Sequence, residues 1–326
     1  MANIKQVAKL AELSVSCVSK YLKDPSSVLP SSREKIEEAV KELQYVPSTV
    51  ARNLRNQRTG IIKIITHSIT NQFFAEFFES LRTELEKSDY IGSLQTLSHH
   101  ENRLFSVRDF EQIDGVILCF IENHKTLDSI AKNIPSSMPV INIHGEKGSH
   151  GFPSILTDVR QGSYEATCHL IAQGGTHLAY IGGYADNTVS SLKKSGFMQA
   201  VEDRMDITGP LYSCDNEFSM QAGFDAAKRL FGHDNSIDAI FCENDLLAAG
   251  AIHYLHDSSR KIPEEVRVIG YDNIPLASMF IPPISSVSIP VKEMSVAAVS
   301  KLLDLLQSKE AEDVRFVPRL YIRSST

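Results

Sequence analysis

Residues 6–22 read Gln6-Val7-Ala8-Lys9-Leu10-Ala11-Glu12-Leu13-Ser14-Val15-Ser16-Cys17-Val18-Ser19-Lys20-Tyr21-Leu22. Apolar residues at helical spacing between Val7 and Ala11 predict a first short helix. Ser14 is suited to cap a second helix, which would turn Val18 and Leu22 inward. Two short helices split by a tight turn serve no catalytic chemistry. They do suit the reading of DNA, because a helix-turn-helix presents its second helix to the major groove.

The outward face of the second helix carries Val15, Ser16 and Lys20. A lysine can donate to guanine or to a phosphate, a serine can serve either role, and a valine can contact a thymine methyl group. The alternative is an ordinary helical hairpin with solvated polar residues. Glu12 departs from the usual pattern, because it occupies the turn position where glycine is commoner and where a side chain costs about 1–2 kcal/mol.

A third helix is predicted after this pair. Ser31-Ser32-Arg33-Glu34 matches a capping box, and the helical spacing continues through Ile36, Ala39, Val40 and Leu43. Three helices that share one small core would make an independent, all-α head.

A further short helix is predicted over Pro47–Leu54, where the fixed φ of proline suits the first helical turn. A helix of this length is not stable alone in water, and it becomes useful if it orders on a partner. Leu54 fits a wedge that opens a base step in the minor groove, while Arg52 and Arg55 contact phosphates. The alternative is a plain linker whose leucine packs on the rest of the chain.

The distribution of charge supports a nucleic-acid partner although the total does not. The net charge is −7, but residues 1–58 hold ten Lys and Arg against six Asp and Glu, a net of +4. The remainder carries a net of −11. A basic head on an acidic body is typical of a DNA-reading module joined to a regulatory domain, although a solvated helical surface can give the same sign.

Composition indicates a protein of the reducing cytoplasm with two or three domains in 326 residues. The first residues lack the apolar segment of a signal peptide, and no apolar stretch approaches the roughly 18–20 residues of a membrane span. The five cysteines lie far apart and form no CxxC pair. We therefore expect no disulfide framework, no metal site and no cofactor, and a location in the cytoplasm with the nucleoid.

From Gly60 onward, short apolar runs alternate with helical stretches. The predicted strands are Ile61–Ile65, Tyr90–Leu94, Val116–Phe120, Val140–Ile143, Leu178–Ile181, Ala239–Cys242 and Val266–Gly270. The predicted helices are Phe73–Glu86, Tyr164–Ala172, Gln221–Leu230, Leu246–Leu255 and Val291–Leu306. Continuous apolar strands between helices predict doubly wound parallel sheets. The strands are too many for one such sheet, which favours two α/β lobes with a ligand crevice at the carboxyl ends of their strands.

Several short motifs recur in a characteristic order. They are Val7-Ala8, Ala11, Ser14, Val18-Ser19-Lys20, Ser32-Arg33-Glu34-Lys35-Ile36, Tyr45-Val46-Pro47, Ala51-Arg52-Asn53-Leu54, Ile113-Asp114-Gly115-Val116-Ile117, Asn244-Asp245 and Val268-Ile269-Gly270-Tyr271-Asp272-Asn273-Ile274-Pro275. Through them the chain resembles the LacI/GalR family of bacterial transcription regulators over its whole length.

The resemblance implies a helix-turn-helix DNA-binding head on a two-lobed core like that of periplasmic binding proteins. It also implies a homodimer that binds a near-palindromic double-stranded operator, with paired hinge helices inserting Leu54 into the central minor groove. The core would sense a small molecule, very often a sugar or a sugar phosphate. The expected DNA contacts are Ser14, Val15, Ser16, Ser19, Lys20, Ala51, Arg52, Leu54 and Arg55.

The same resemblance sets the expected domain boundaries. Residues 1–46 would form the DNA-binding domain, 47–58 the hinge and linker, and 59–326 the effector-binding core. Within the core, the N-lobe would comprise 59–157 and 288–307, and the C-lobe 158–287 and 308–326. The crossovers between lobes are expected near Asp158, Val287 and Ser308. A strand over Val314–Ile322 with no heptad tail favours a dimer over a tail-zippered tetramer.

Candidate effector contacts follow from the family pattern at the carboxyl ends of the strands. They are Phe73, His144, Lys193, Asn244 and Asp272. Phe73 and Phe74 are placed to stack on a ring, although one of them is expected in the helix core. His144 stands where the family often has aspartate, and it can equally be a structural donor.

Lys193 takes the position of a family arginine that binds ligand. It favours an anionic group or a single hydroxyl, since lysine offers a point charge rather than a planar fork. A solvated lysine is the alternative. Asn244 and Asp272 suit ligand hydroxyls, as the family uses them, and Asp245 is predicted to cap the following helix. Ile289 stands where the family often has a polar contact.

The leading hypothesis is therefore a ligand-controlled transcription factor, most simply a repressor, with the effector acting as inducer or corepressor. One alternative is a small-molecule (solute) binding protein with the same two-lobed core. Another is an enzyme with a Rossmann-type site, but the sequence contains no G-x-G-x-x-G, P-loop, G-x-S-x-G or H-E-x-x-H motif. We expect neither an enzyme nor a membrane partner.

Overall fold

The computed structural model describes residues 3–45, 58–66, 69, 71–97, 104–121, 124–144, 150–184, 188–204, 208–214 and 217–326. The chain divides into two compact units, Met1–Thr59 and Gly60–Thr326.

The first unit is an all-α head. Its elements are α1 (Ile4–Leu10), α2 (Val15–Lys23), a 3₁₀ turn (Pro25–Ser27) and α3 (Pro30–Glu42). A small apolar core joins the three helices and contains Val7, Ala8, Ala11, Val18, Ile36 and Ala39. The predicted pair of helices and the third helix are confirmed. Glu12 in the turn adopts a φ of 54°, the left-handed conformation expected at that position.

The third helix begins differently from the prediction. Leu29 occupies the N-cap of α3 without a side-chain hydrogen bond, and Pro30 takes the first helical position. The capping box predicted at Ser31–Glu34 is therefore wrong. Proline supplies a φ suited to the first helical position and lacks an N–H that would need a cap, so Ser31 lies inside the first turn.

The second unit contains twelve strands and eight helices in its described part. The strands are β1 (Ile61–Thr66), β2 (Ile91–Thr96), β3 (Gly115–Cys119), β4 (Val140–His144), β5 (Ser154–Thr157), β6 (His177–Gly182), β7 (Thr208–Cys214), β8 (Ala239–Cys242), β9 (Arg267–Asp272), β10 (Ser285–Ser288), β11 (Val314–Phe316) and β12 (Arg319–Tyr321). The helices are α4 (Gln72–Glu86), α5 (His124–Asn133), α6 (Val159–Ala172), α7 (Thr188–Glu202), α8 (Met220–His233), α9 (Asp245–Asp257), α10 (Pro275–Met279) and α11 (Val291–Leu306).

These strands form two six-stranded sheets, as the predicted two-lobed α/β class requires. The N-lobe sheet has the order β11-β5-β4-β3-β1-β2 and is parallel throughout. The C-lobe sheet has the order β12-β10-β9-β8-β6-β7, and only β12 runs antiparallel to its neighbour. Their central strands are apolar and buried, for example all five residues of β3, because helices cover the sheets.

Three crossovers connect the lobes, and one of them lies elsewhere than predicted. The chain leaves the N-lobe sheet at Asp158 and leaves the C-lobe sheet after Ser288, close to the first two predicted points. The single strand predicted over Val314–Ile322 is wrong. It is two strands, of which β11 pairs with β5 and β12 with β10, so the third crossing lies at residues 317–318 rather than near Ser308. Pro318 interrupts the backbone hydrogen bonding there, which the apolar pattern alone did not reveal.

Candidate functional site

The second helix of the head presents a short exposed face. Val15 is 38% exposed, and Ser16 and Lys20 are also exposed, while Val18 on the opposite side is fully buried. These three side chains, which were predicted to read DNA, are therefore available at the surface of α2 and are not part of the core. Ser19 lies half-buried on the flank of this face.

Ser14, which was predicted as a DNA contact, also has a structural role. It is the N-cap of α2, and its Oγ accepts a hydrogen bond of 3.1 Å from the backbone N–H of Cys17. The predicted cap is confirmed. Because this oxygen is engaged within the helix, Ser14 fixes where α2 begins and thus which side chains face outward.

The predicted hinge lies outside the described residues. Pro47–Leu54, and with it Ala51, Arg52, Leu54 and Arg55, falls within residues 46–57.

In the C-lobe, the carboxyl ends of β8 and β9 bring two candidate residues together. The two strands are parallel, with Phe241 opposite Ile269. Asn244 lies two residues beyond the end of β8 and Asp272 is the last residue of β9, so both lie at the carboxyl edge of this sheet. Asp272 has a φ of 92°, an uncommon backbone conformation for a residue with a side chain. Such conformations cluster at functional sites, where the surroundings hold them in place.

Lys193 reaches the same edge from α7. Its Nζ donates a 2.8 Å hydrogen bond to the Glu243 carbonyl oxygen and lies 3.8 Å from Asp272 Oδ1. The ammonium also lies 3.8 Å from the centre of the Tyr271 ring. Lys193 is only 7% exposed. The alternative of a solvated lysine is wrong, because this cation is held by a carbonyl, a carboxylate and an aromatic face.

Burial dominates the electrostatics of Asp272. Desolvation raises the pKa of its carboxyl group, the positive charge of Lys193 acts in the opposite direction, and the negative charge of Glu243 raises it further. The ion pair with Lys193 therefore offsets only part of the free-energy cost of burying the Asp272 carboxylate.

Glu243 is a buried carboxylate that sequence reasoning missed. It accepts hydrogen bonds from the Tyr180 hydroxyl, from the backbone N–H of Gly183 at 2.9 Å and from Ser190 Oγ at 2.9 Å. These donors come from β6, the loop after it and α7, so Glu243 ties three segments to the end of β8. A glutamate directly after an apolar strand was the available signal.

Asn244, and not Asp245, caps the helix that follows β8. Asn244 is the N-cap of α9, since its Oδ1 accepts a 2.8 Å hydrogen bond from the N–H of Leu247. Its Nδ2 is buried and has no hydrogen-bond partner among the described residues. The cap predicted at Asp245 is therefore wrong. The helix begins at Asp245, one residue earlier than expected, which turns that side chain toward β9 and β10.

Asp245 is buried beneath the same edge. Its carboxylate accepts hydrogen bonds from Ser286 Oγ at 2.6 Å and from the N–H of Ile274 at 2.8 Å. Burial raises its pKa to about 8, and the nearby charge of Asp272 also raises it, while the two hydrogen bonds lower it. Around neutral pH this group is therefore largely a neutral acid inside the lobe.

The N-lobe candidates are less accessible than expected. Phe73 is only 5% exposed and packs in an aromatic cluster, with ring centres 5.3 Å from Phe74, 6.0 Å from Phe77 and 5.5 Å from Phe120. Phe74 is half-buried, so of the two it keeps the more accessible ring. His144 ends β4, but its side chain lies outside the described residues. Ile289 is buried in the core.

In the described ranges, no three His, Cys, Asp or Glu side chains converge as metal ligands would. None of the described helices has the length and apolar character needed to cross a bilayer.

Comparison with known proteins adds two family matches. Residues 3–48 match the family described as bacterial regulatory proteins, lacI family, and residues 167–326 match a periplasmic binding protein-like domain. Among characterised relatives, the HTH-type transcriptional repressor PurR of Aliivibrio fischeri (strain MJ11) is 32% identical, with 100% of this chain and 98% of the relative covered.

Solved structures show the same fold. The transcriptional regulator CelR in complex with cellobiose is 25% identical, covers 100% of both chains and superposes with a TM-score of 0.71. A lac repressor dimer bound to operator and the anti-inducer ONPF is 20% identical, with 100% of this chain and 99% of that chain covered and a TM-score of 0.84.

Proposed function

This chain belongs to the LacI family of bacterial regulatory proteins, and we propose that it acts as a repressor controlled by an uncharged small molecule. As a member it is a DNA-binding transcription regulator that responds to a small molecule. One observation carries the proposal about the effector: Lys193, the cation expected to meet a charged ligand, is already bound within the C-lobe.

Operator reading would depend on the exposed face of α2. Val15, Ser16 and Lys20 are the side chains free of the head core, and they match the chemistry of a thymine methyl group, a base edge and a guanine. Affinity would come mainly from phosphate contacts, because residues 1–58 carry a net positive charge, and it would fall steeply with salt.

The hinge would supply the control. In this proposal residues 47–58 connect the DNA-binding domain, residues 1–46, to the effector-binding core. Leu54 enters the central minor groove, Arg52 and Arg55 contact phosphates, and Ala51 is a further DNA contact. An effector bound between the lobes would change their relative angle and so the spacing of two hinge helices. Separation of the helices makes the effector an inducer, and approach makes it a corepressor.

The C-lobe edge favours an uncharged, hydroxyl-rich effector. The Lys193 ammonium group is already held by the Glu243 carbonyl oxygen and by the Asp272 carboxyl group, and the Glu243 carboxylate lies buried near Asp272. A phosphate placed there would meet carboxylates instead of a free cation. Asn244 Nδ2 is a buried donor with no partner among the described residues, and Asp272 is an acceptor at the same edge of the sheet, so ligand hydroxyls could accept from the first and donate to the second.

A carbohydrate is the natural member of this class. The matched CelR structure is a complex with cellobiose, which carries no charge. The half-buried ring of Phe74 in the N-lobe would be the stacking surface, rather than the buried Phe73. The anionic group that Lys193 was predicted to favour loses its support, because the protein itself accounts for the position of this lysine.

The proposal includes a homodimer of this chain, located in the cytoplasm, that binds a near-palindromic operator. The strand β2 lies at the edge of the N-lobe sheet, pairs with β1 alone among the described strands and contains no charged residue. Ile91 at its start is 65% exposed. An uncharged edge strand with an exposed apolar residue is a surface that folded proteins usually cover.

Matched ligands test the proposed effector. Thermal unfolding of the full chain would be measured with neutral sugars and with the phosphate ester of each sugar. We expect stabilisation by one or more neutral sugars and less by the corresponding phosphate, since a ligand that binds the folded state raises its stability. Each stabilising sugar is then added to protein bound to a duplex selected from a random library by the chain itself.

Two results would overturn this part of the proposal. A phosphate ester that stabilises more than its parent sugar would show that an anion is preferred. A stabilising sugar that leaves affinity for the selected duplex unchanged would show that the site does not control DNA binding.

The hinge has its own test. Leu54→Ala should weaken binding to the selected duplex far more than binding to a random duplex, because only the specific complex opens a base step. Equal losses on the two duplexes would show that Leu54 is not a wedge. The salt dependence should be unchanged, since no charge is removed.

A further inference from the structure

Three polar side chains connect the second and third helices of the head. The Tyr21 hydroxyl on α2 donates a 3.1 Å hydrogen bond to Glu37 Oε1 on α3. Arg33 Nε, one turn earlier on α3, donates a 2.7 Å hydrogen bond to the same oxygen. We call Tyr21, Glu37 and Arg33 the α2–α3 clamp. Neither the helix-turn-helix pattern nor the family motifs gave Tyr21 or Glu37 a role.

The position of Tyr21 makes the clamp relevant to the reading face. Tyr21 directly follows Lys20, and its half-buried ring packs against the head core beside Leu22. A shift of this ring would therefore rotate or tilt α2 and move Lys20 with it. The opposite end of α2 is already fixed by the Ser14 cap, so the clamp restrains the end that the cap does not reach.

The electrostatics keep the clamp in its bonded form. The hydrogen bonds from Arg33 and Tyr21 lower the pKa of Glu37, while burial and the bond to Glu37 raise the pKa of Tyr21. At neutral pH the carboxylate is ionised and the phenol keeps its proton. The bond between them is a hydrogen bond to a charged acceptor, which is stronger than one between neutral groups.

The exposure of the clamp argues against a role in stability alone. The side chains of Arg33 and Glu37 are 52% and 47% exposed, and an ion pair with that exposure adds little to the free energy of folding. Glu37 also places a negative charge on a head whose affinity for DNA depends on positive charge. A carboxylate at this place should reduce affinity for any DNA unless it does something specific.

We propose that Tyr21 and Glu37 are positioning residues for sequence recognition, which hold α2 at the angle where Val15, Ser16 and Lys20 reach base edges. They act through α2 and not by contact with DNA. The inference rests on the proposed reading role of α2, which Lys20→Ala tests separately.

Two variants of the full chain test the clamp, with the selected duplex and a random duplex of equal length as probes. Tyr21→Phe keeps the ring in the core and removes the hydroxyl. It should weaken binding to the selected duplex about three- to tenfold, the range for one hydrogen bond, and leave random-duplex binding unchanged. Glu37→Met should weaken selected-duplex binding less than Tyr21→Phe does, because the lost negative charge offsets part of the loss, and for the same reason it should tighten random-duplex binding.

Glu34→Met is the matched control. Glu34 is an exposed carboxylate on the same helix and takes no part in the clamp. Its replacement removes the same charge at a similar helical propensity, so it should tighten binding to both duplexes. The double variant Tyr21→Phe/Glu37→Met should bind the selected duplex no more weakly than Glu37→Met, because both changes break one bond.

Three results would overturn the proposal. Tighter binding of Glu37→Met to both duplexes would make it equivalent to the control. Additive losses in the double variant would show that Tyr21 acts independently, as a direct DNA contact would. Equal losses on both duplexes would indicate a destabilised head. If Lys20→Ala leaves selected-duplex binding intact while the clamp variants weaken it, the reading role of Lys20 fails and the clamp still stands.

Discussion

The head and the C-lobe present their candidate residues in opposite ways. Val15, Ser16 and Lys20 stand on the outside of α2 and contribute little to the core of the head. Lys193 and Asp272 are almost fully buried, and each is already held by groups of the C-lobe. The first set can be exchanged without cost to folding, whereas the second set carries function and stability together.

This difference separates two kinds of experiment. A change on the reading face should alter DNA affinity and leave the free energy of unfolding unchanged. A change in the buried cluster of Lys193, Glu243, Asp245 and Asp272 should first alter the free energy of unfolding. Any loss of effector response must therefore be corrected for the loss of stability. The following predictions test whether the separation is as sharp as the structure indicates.

The largest expected effect is at Glu243. Glu243→Ala removes the carboxylate that accepts hydrogen bonds from the buried donors of Tyr180, Gly183 and Ser190. We expect a loss of about 3–5 kcal/mol in the free energy of unfolding, measured by urea denaturation of the full chain. The control is Glu79→Ala on α4, which removes an exposed partner of Arg82 and should cost less than about 1 kcal/mol. Equal effects would contradict the division between buried and exposed sites.

The pH dependence of the buried cluster comes second. The pKa of Asp245 is raised to about 8, so the folded protein binds this proton more tightly than the unfolded chain. Its contribution to stability is therefore complete at low pH and is lost as the pH rises toward 8, by up to about 1 kcal/mol per pH unit.

Asp245→Asn should remove this dependence. Between pH 5 and pH 7 the wild type should lose about 2 kcal/mol relative to the variant in urea denaturation. A stability difference between wild type and variant that does not change over the same range would show that Asp245 is ionised in the fold.

A specific loss of DNA affinity is expected third. Lys20→Ala should weaken binding to the selected duplex by about 1–3 kcal/mol if Lys20 contacts a guanine, and the preference for one base should relax at that position. The free energy of unfolding should change by less than about 0.5 kcal/mol, since the side chain is exposed. A uniform loss on selected and random duplexes, with a shallower salt dependence, would assign Lys20 to a phosphate instead.

The smallest expected effect is at Ser14. Ser14→Ala removes the cap of α2 and should cost the head about 1 kcal/mol, measured as a lower midpoint for unfolding of the head. Ser16→Ala, two residues later and exposed, is the control and should leave that midpoint unchanged. If Ser14→Ala weakens DNA binding without lowering the midpoint, Ser14 is a DNA contact and its cap is dispensable.

The periodic pattern of apolar residues in the sequence predicted most of the strands and helices. The apolar runs at Ala239–Cys242 and Ile61–Ile65 became strands within one residue of the predicted bounds, because buried parallel strands read as continuous apolar stretches. The helix at Val291–Leu306 was predicted to the residue. The helix Thr188–Glu202, in contrast, has no single apolar stripe that stands out in the sequence and was not predicted. The helix His124–Asn133 was also missed, although it is amphipathic.

The candidate site was predicted only in part. The positions of Asn244 and Asp272 at neighbouring strand ends followed from the family pattern, and the register of β8 and β9 agrees with it. The partners of Lys193 did not follow, because a sequence does not show which of many buried acceptors a long side chain reaches. Glu243 was missed for the same reason, since its three donors come from segments 53 to 63 residues away.

The sequence by itself determined the helix-turn-helix, the alternation that makes two α/β lobes, the charge of the head and the family. These properties depend on local spacing and composition, which the chain carries without folding. Only the tertiary structure decided that Lys193 is held by Glu243 and Asp272, that Asn244 and not Asp245 caps α9, and that Tyr21 is bonded to Glu37. Each of these depends on distances between segments remote in the chain, which are fixed when the core packs.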